Sequence, residues 1–269
     1  MRGARAERSG RRGFSGEEMS EHARRADGAP WRNFYGRRHG KKLRPNRRAL
    51  LERRLAELAP PGVGWAENPE RAPIDLGALF PSARAVWLEI GFGAGEHLLA
   101  TAAAHRDIGL IGCEPFVNGV AALLAGVERE GLSNLAIHAG DARDLLDVIP
   151  AGALGRVYLL YPDPWPKRRH WRRRFVRPDT LDALARVMAP GAELRIATDI
   201  DDYVRHTLEH LTMRPDFEWT AEGAADWREP WPGWPGTRYE AKALREGRRP
   251  TYLIFRRIGA ASGGRAGSC

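Results

Sequence analysis

The chain has 269 residues, 43% of them hydrophobic, enough for one sizeable α/β domain with an appendage and too few for two full catalytic domains. Forty-three Lys and Arg against 34 Asp and Glu leave a formal charge of +9, which points to a polyanionic partner such as nucleic acid. Two cysteines, Cys113 and Cys269, exclude a disulfide framework and a cysteine-built zinc site, and no apolar run reaches the ~18 residues of a membrane span, so a soluble protein of the reducing cytoplasm without a leader is expected.

Residues 1–30 are rich in Gly, Ala, Arg, Ser and Glu without apolar period, the composition of a disordered tail. From Trp31 to Arg48 there are eight Lys or Arg and no acids, interleaved with Phe34 and Tyr35. This basic arm, with Arg37, Arg38, Lys41 and Lys42 as phosphate contacts, is expected to order only on RNA. Leu50, Leu51, Leu55 and Leu58 suit a short helix over 45–58, and Pro and Gly at 60–64 break it. An appendage over 31–64 therefore precedes a domain over 65–258, and 259–269 reads as a flexible tail.

Within that domain, apolar runs at 85–90, 108–113, 135–138, 156–161 and 193–197 alternate with helical patterns at about 96–105, 116–130, 143–148 and 178–188. Such alternation predicts a doubly wound parallel sheet. A further helix at 201–212 and two strands near 216–220 and 251–257 complete it, with a long loop rich in Trp, Pro and Gly between those strands. Loops of that length inside compact domains tend to be functional.

At the first strand-to-helix turn, Glu89 precedes Gly91, Gly93 and Gly95. Glycines there let backbone approach a ligand. The GxGxG spacing departs from the dinucleotide GxGxxG, and a carboxylate beside it repels a pyrophosphate but suits a cation, which disfavours NAD and favours S-adenosylmethionine. Glu114, at the end of the second strand, is placed to accept from ribose hydroxyls. Asp141, followed by Ala142 after the third strand, suits either the amine of an adenine or a helix N-cap. Sheet topology and carboxylate order resemble the class I S-adenosylmethionine-dependent methyltransferases over residues 84–258. The resemblance implies a seven-stranded, mostly parallel Rossmann-like sheet with helices on both faces and an antiparallel last strand.

After the fourth strand comes Tyr161 Pro Asp Pro Trp Pro Lys Arg Arg His Trp Arg Arg Arg174. Asp163 would emerge at a strand's carboxyl end, where open α/β sheets bind ligands, and Trp165 could stack a base. The six cations of 167–174 suit phosphates, against the alternative of a solvated helix start. Asp-Pro-Trp is also similar to the Asp-Pro-Pro-Tyr motif of amino-directed DNA methyltransferases.

Taken together, EIGFGAGEHL, YPDPWPKRRHWRRR, ATDIDDY, GTRYEAKALREGRRPTYLIFRR and the arm FYGRRHGKKL resemble the bacterial tRNA (guanine-N7-)-methyltransferase family over about residues 32–258. That resemblance implies transfer from S-adenosylmethionine to N7 of the variable-loop guanine of tRNA, without a metal; the sequence leaves monomer and homodimer both open. It implies that Glu89, the glycines, Glu114, Asp141, Ala142 and Asp163 border the methyl donor, with Asp163 catalytic. Lys167, Asp199, Thr237, Arg238, Tyr239 and Glu240 would border the substrate, and Trp165, Arg168, Arg169, His170, Trp171, Arg172, Arg173 and Arg174 the RNA. Cys113, where an aliphatic residue is more usual, and the first 30 residues depart from the family pattern. Because N7 carries a lone pair and no proton, no general base is needed, and the guanine edge would be held by Asp163 or by Asp199. Two other readings compete: methylation of an exocyclic amine, and a non-catalytic RNA-binding protein on the same scaffold.

Overall fold

The computed structural model describes residues 32–259. The tail expected over 1–30, Trp31, and residues 260–269 lie outside the described residues.

Seven strands form one sheet: β1 (Ala85–Ile90), β2 (Ile108–Cys113), β3 (Leu135–His138), β4 (Leu154–Leu160), β5 (Met188–Thr198), β6 (Phe217–Trp219) and β7 (Thr251–Arg257). Their order is β3-β2-β1-β4-β5-β7-β6. The first five pair in parallel, and β7 runs antiparallel to both β5 and β6. Nearly unbroken apolar strands such as β2, buried at all six positions, require cover on both faces. One face packs under α5 (Ala142–Leu146), α6 (Pro178–Val187) and α7 (Asp201–Thr212), and the other under α3 (Glu96–Ala104) and α4 (Val117–Glu130). The N-terminal helix α1 (Pro45–Leu58) starts on a proline at its first position and seats Leu50, Leu51, Leu55 and Leu58 on the α3/α4 side.

The architecture expected from the sequence is therefore present, with shifted bounds. Pro190 and the left-handed Gly191 (φ +83°) interrupt the apolar pattern of β5, which starts at Met188 and not at 193. The long loop before β7 is not unstructured: it carries the short helices α8 (Ala225–Arg228) and α9 (Arg238–Arg245). A further short helix, α2 (Leu76–Leu79), precedes β1, and residues 168–173 form a 3-10 helix. Among the described residues no helix is long and apolar enough to cross a membrane.

Chain direction through the sheet reverses beside β1: β2 and β3 extend to one side, β4 and β5 to the other. At such a switch point the loops leaving adjacent strands diverge and open a crevice at the carboxyl ends.

Candidate active site

That crevice is a cavity of about 430 Å³, a volume suited to a small organic ligand. Gly91 and Gly93 after β1, Glu114 after β2, Gly140, Asp141 and Ala142 after β3, and Tyr161 to Asp163 after β4 line it. Gly91 has φ +74° and open space where a Cβ would stand. A side chain there would be strained and would project into an open cradle. Gly95 begins α3 in the left-handed region (φ +84°) and lies off the cavity wall.

Glu114 is 8% exposed, and its carboxylate accepts from the Gly93 amide (2.8 Å) and the Phe116 amide (2.9 Å). It thereby ties the glycine turn of β1 to the start of α4. Burial pushes its pKa up despite those amides. Asp141 is the N-cap of α5, accepting from the Arg143 amide at 2.9 Å. It is also clasped by the Arg143 guanidinium. Burial raises its carboxyl, and the Arg143 bonds more than reverse this, holding it low. Asp141 is thus an N-cap, as one of its two sequence readings had it, and it also lines the cavity. Asp163 opens to solvent at the cavity mouth, and the surrounding protein raises its carboxyl by desolvation.

Glu89 departs from expectation. It is 2% exposed, lies behind the glycine turn and not on the cavity wall, and contacts His97 Nδ1 of α3 at 2.6 Å. Its position on β1 points it at the α3 side of the sheet, where a buried carboxylate requires a polar partner.

The basic run divides in two. Lys167 just before the 3-10 helix and Arg168, Arg169 and Arg172 on it are exposed, but Arg174 is 1% exposed and paired to Asp202 of α7. Trp171 packs inward as well, with Arg174 4.8 Å from its ring centroid and His206 at 6.1 Å. Neither belongs to an open RNA track, because α7 supplies them with partners. Arg173 sits between two rings, 4.4 Å from Tyr35 and 4.9 Å from Trp165. His170 contacts Trp165 edge-on at 6.0 Å.

Through Tyr35 the basic arm reaches the cavity, and here the structure corrects the expectation that it orders only on RNA. Residues 33–37 line the cavity, with Tyr35 edge-on to Trp165 of the segment after β4 at 6.2 Å. The arm is fastened by Arg32 to Asp144 (2.9 Å) and Asp147 (2.7 Å), by the Val117 amide to the Arg38 carbonyl (2.9 Å), and by Asn118 to Gly40 and Lys41 (both 2.7 Å). Arg37, Arg38, Lys41 and Lys42 remain exposed. The sequence signal for a wall, aromatics interleaved in the arm, was present but indistinguishable from a base-stacking pattern.

Thr237 to Glu240 form the first turn of α9 and not a free loop. Thr237 and Glu240 make a capping box, and Glu240 also accepts from Trp234 Nε1 (2.8 Å) and from the Tyr252 hydroxyl. Arg238 pairs with Glu96 at 2.7 Å. Of the four, only Tyr239 lines the cavity, its ring stacked on Tyr161 at 6.3 Å and 21°. Asp199 is paired to Arg248 and, like Lys167, lies off the cavity wall. Tyr161, Phe34, Tyr35 and Arg143 are cavity residues the sequence reading left out.

A protein family described as "Putative methyltransferase" matches residues 83–253. The chain is 60% identical over 232 residues to the tRNA (guanine-N(7)-)-methyltransferase of Ruegeria sp. (strain TM1040), covering 86% of this chain and 90% of that protein. It is 59% identical to the protein of the same name from Ruegeria pomeroyi, over 85% of this chain and 96% of that one. The protein of that name from Rhodospirillum rubrum is 52% identical over 83% and 87%. With a sheet-end cavity, a glycine cradle and strand-end carboxylates already in place, these similarities make the chain a member of the tRNA (guanine-N(7)-)-methyltransferase family.

Proposed function

We propose that the protein methylates N7 of the variable-loop guanine of tRNA in the cytoplasm, using S-adenosylmethionine bound in the sheet-end cavity. The observation that carries this reading is the convergence of Glu114, Asp141 and Asp163 from the ends of β2, β3 and β4 on one cavity floored by Gly91 and Gly93 at the end of β1. The residues fit the donor: the open space over Gly91 is a cradle that a Cβ would fill. Each Glu114 oxygen already holding an amide can accept a second bond, which suits ribose hydroxyls, and Asp141 stands at the β3 end for an adenine amine.

When bound, S-adenosylmethionine supplies an electrophilic methyl carbon on a cationic sulfur. The protein's tasks are then positioning and charge management. Guanine N7 has a lone pair and no proton to remove, so no side chain need act as a base. Asp163, open at the mouth, accepts from the N1 and N2 hydrogens of the guanine, and that bond strengthens as the purine gains positive charge. Pairing of Asp199 with Arg248 off the cavity wall favours Asp163 over Asp199 for this role. Tyr239 and Tyr161 offer aromatic faces to a base splayed out of the tRNA fold. Exposed Arg37, Arg38, Lys41, Lys42, Arg168, Arg169 and Arg172 meet the phosphates.

Labelled methyl transfer to unmodified tRNA transcripts tests the whole reading. Label should appear, chain cleavage should follow reduction and aniline treatment, and both should vanish when the variable-loop guanine is replaced. Persistent labelling of the replaced transcript would refute the site. Retention of near-normal single-turnover rates by Asp163→Ala with saturating RNA would refute the role of Asp163.

A further inference from the structure

Arg174 is the largest fully buried side chain among the described residues. Burying a guanidinium is costly unless every charge and donor finds a partner. Here Nε donates to the Pro164 carbonyl at 2.8 Å and Nη2 to the Asp202 carboxylate at the start of α7, while Nη1 is buried without a hydrogen-bond partner among the described residues. The rings of Trp171 and Tyr203 lie 4.8 Å and 5.4 Å from its carbon centre.

What Arg174 holds is a segment that cannot hold itself. The segment after β4 is last tied to the sheet by the Tyr161 amide, which donates to the Ala197 carbonyl at 2.7 Å. Beyond it, residues 162, 164 and 166 are prolines without an N–H, so only two amides in five residues are available to fasten it. Its two aromatic residues occupy the left-handed region, Tyr161 at φ +49° and Trp165 at φ +41°. Such conformations are strained for residues other than glycine and persist only where surroundings impose them. With amides scarce, a carbonyl is the available handle, and Pro164, next to Asp163, offers it to the buried guanidinium.

We propose that Arg174 is a positioning residue for the methyl-transfer step: together with Asp202 it braces the Pro164 carbonyl and so fixes Asp163 at the cavity mouth. This rests on the reading of Asp163 as the residue that holds the guanine. The planar fork of arginine grips a carbonyl and a carboxylate at once, which the point charge of lysine does not.

The test compares Arg174→Lys, Asp202→Asn, their combination and Asp163→Asn in the full chain. Single-turnover transfer is measured at saturating S-adenosylmethionine and tRNA transcript, tRNA affinity against salt by filter binding, and hydrogen exchange of the 161–166 segment in the free protein. Arg174→Lys should keep the salt slope, speed exchange in that segment, and lose between about tenfold and about a hundredfold in rate, the scale of a misplaced reacting group. Asp202→Asn should move rate and exchange the same way, and the combined variant should lose no more than Arg174→Lys alone. A salt slope reduced by about one, with unchanged rate and exchange, would make Arg174 a phosphate contact and overturn the proposal. Full rate in Arg174→Lys beside a crippled Asp163→Asn overturns the brace alone, and full rate in Asp163→Asn overturns the underlying reading. Should Arg174→Lys fail to fold, Asp202→Asn decides: unchanged rate and exchange refute the brace.

Discussion

Replacing Glu114 by Gln probes the joint between the glycine turn and α4. In the native site one carboxylate oxygen faces the Gly93 amide at 2.8 Å and the other the Phe116 amide at 2.9 Å. Glutamine keeps the shape but turns one oxygen into an NH2, so one backbone N–H meets a donor in a site only 8% exposed. An unsatisfied buried donor costs about 1–3 kcal/mol. Relief from burying a carboxylate whose pKa is raised by desolvation offsets part of this in the free protein. It offsets nothing in the complex, where the carboxylate is also expected to accept from the ribose. The dissociation constant for S-adenosylmethionine, read by titration calorimetry, should therefore rise by about fivefold to about 150-fold, with a melting temperature that changes little. If binding stays within about twofold of wild type while the melting temperature is also unchanged, Glu114 neither ties the turn nor holds the donor, and the assignment of the cavity fails with it.

Three other outcomes are expected. A Cβ at Gly119 of α4 would stand 2.1 Å from the Gly93 carbonyl oxygen, so Gly119→Ala should weaken donor binding by calorimetry even though alanine favours the helix by about 0.5–1 kcal/mol. Deleting residues 1–44 removes a cavity wall as well as exposed cations, and should raise the donor dissociation constant without any RNA present; an effect confined to tRNA binding would refute the wall. Glu114 and Asp163 both have raised carboxyls. Each folded-state group thus binds its proton more tightly than in the unfolded chain, and contributes a stability that falls as pH rises through the window above its ordinary value. Donor affinity, which needs the Glu114 carboxylate, should run the opposite way and fall as pH descends through that window, an acid-side loss that is smaller in Glu114→Gln when calorimetry is repeated across pH.

Much of the site was legible because a parallel sheet delivers its loops to one end. Once the runs at 85–90, 108–113, 135–138 and 156–161 were strands, the residues following them had to share an edge, and Glu114, Asp141 and Asp163 do. Local chemistry also carried Gly91 and Gly93, whose φ values above +60° suit glycine. The fate of individual charges was not legible. Six cations within eight residues announce a polyanion, yet whether one of them turns inward depends on a carboxylate 28 residues away in Asp202. Glu240 was read as a substrate group from its neighbours in sequence, but Trp234 and Tyr252, brought to it by the turn and by β7, occupy its oxygens. The arm was read as waiting for RNA, because Arg32 meets Asp144 and Asp147 only once the chain has folded 112 and 115 residues back on itself.

Sequence by itself determined the sheet, the glycine cradle and which strand ends carry acids, since periodicity and turn chemistry are written locally. Only the tertiary structure decided which charged groups face the cavity and which serve the fold, because burial and pairing are properties of neighbours in space. Glu89 and Arg174 show this most directly: each was read as facing a ligand, and each is answered instead by a buried or neighbouring partner, His97 or Asp202, brought to it by the fold.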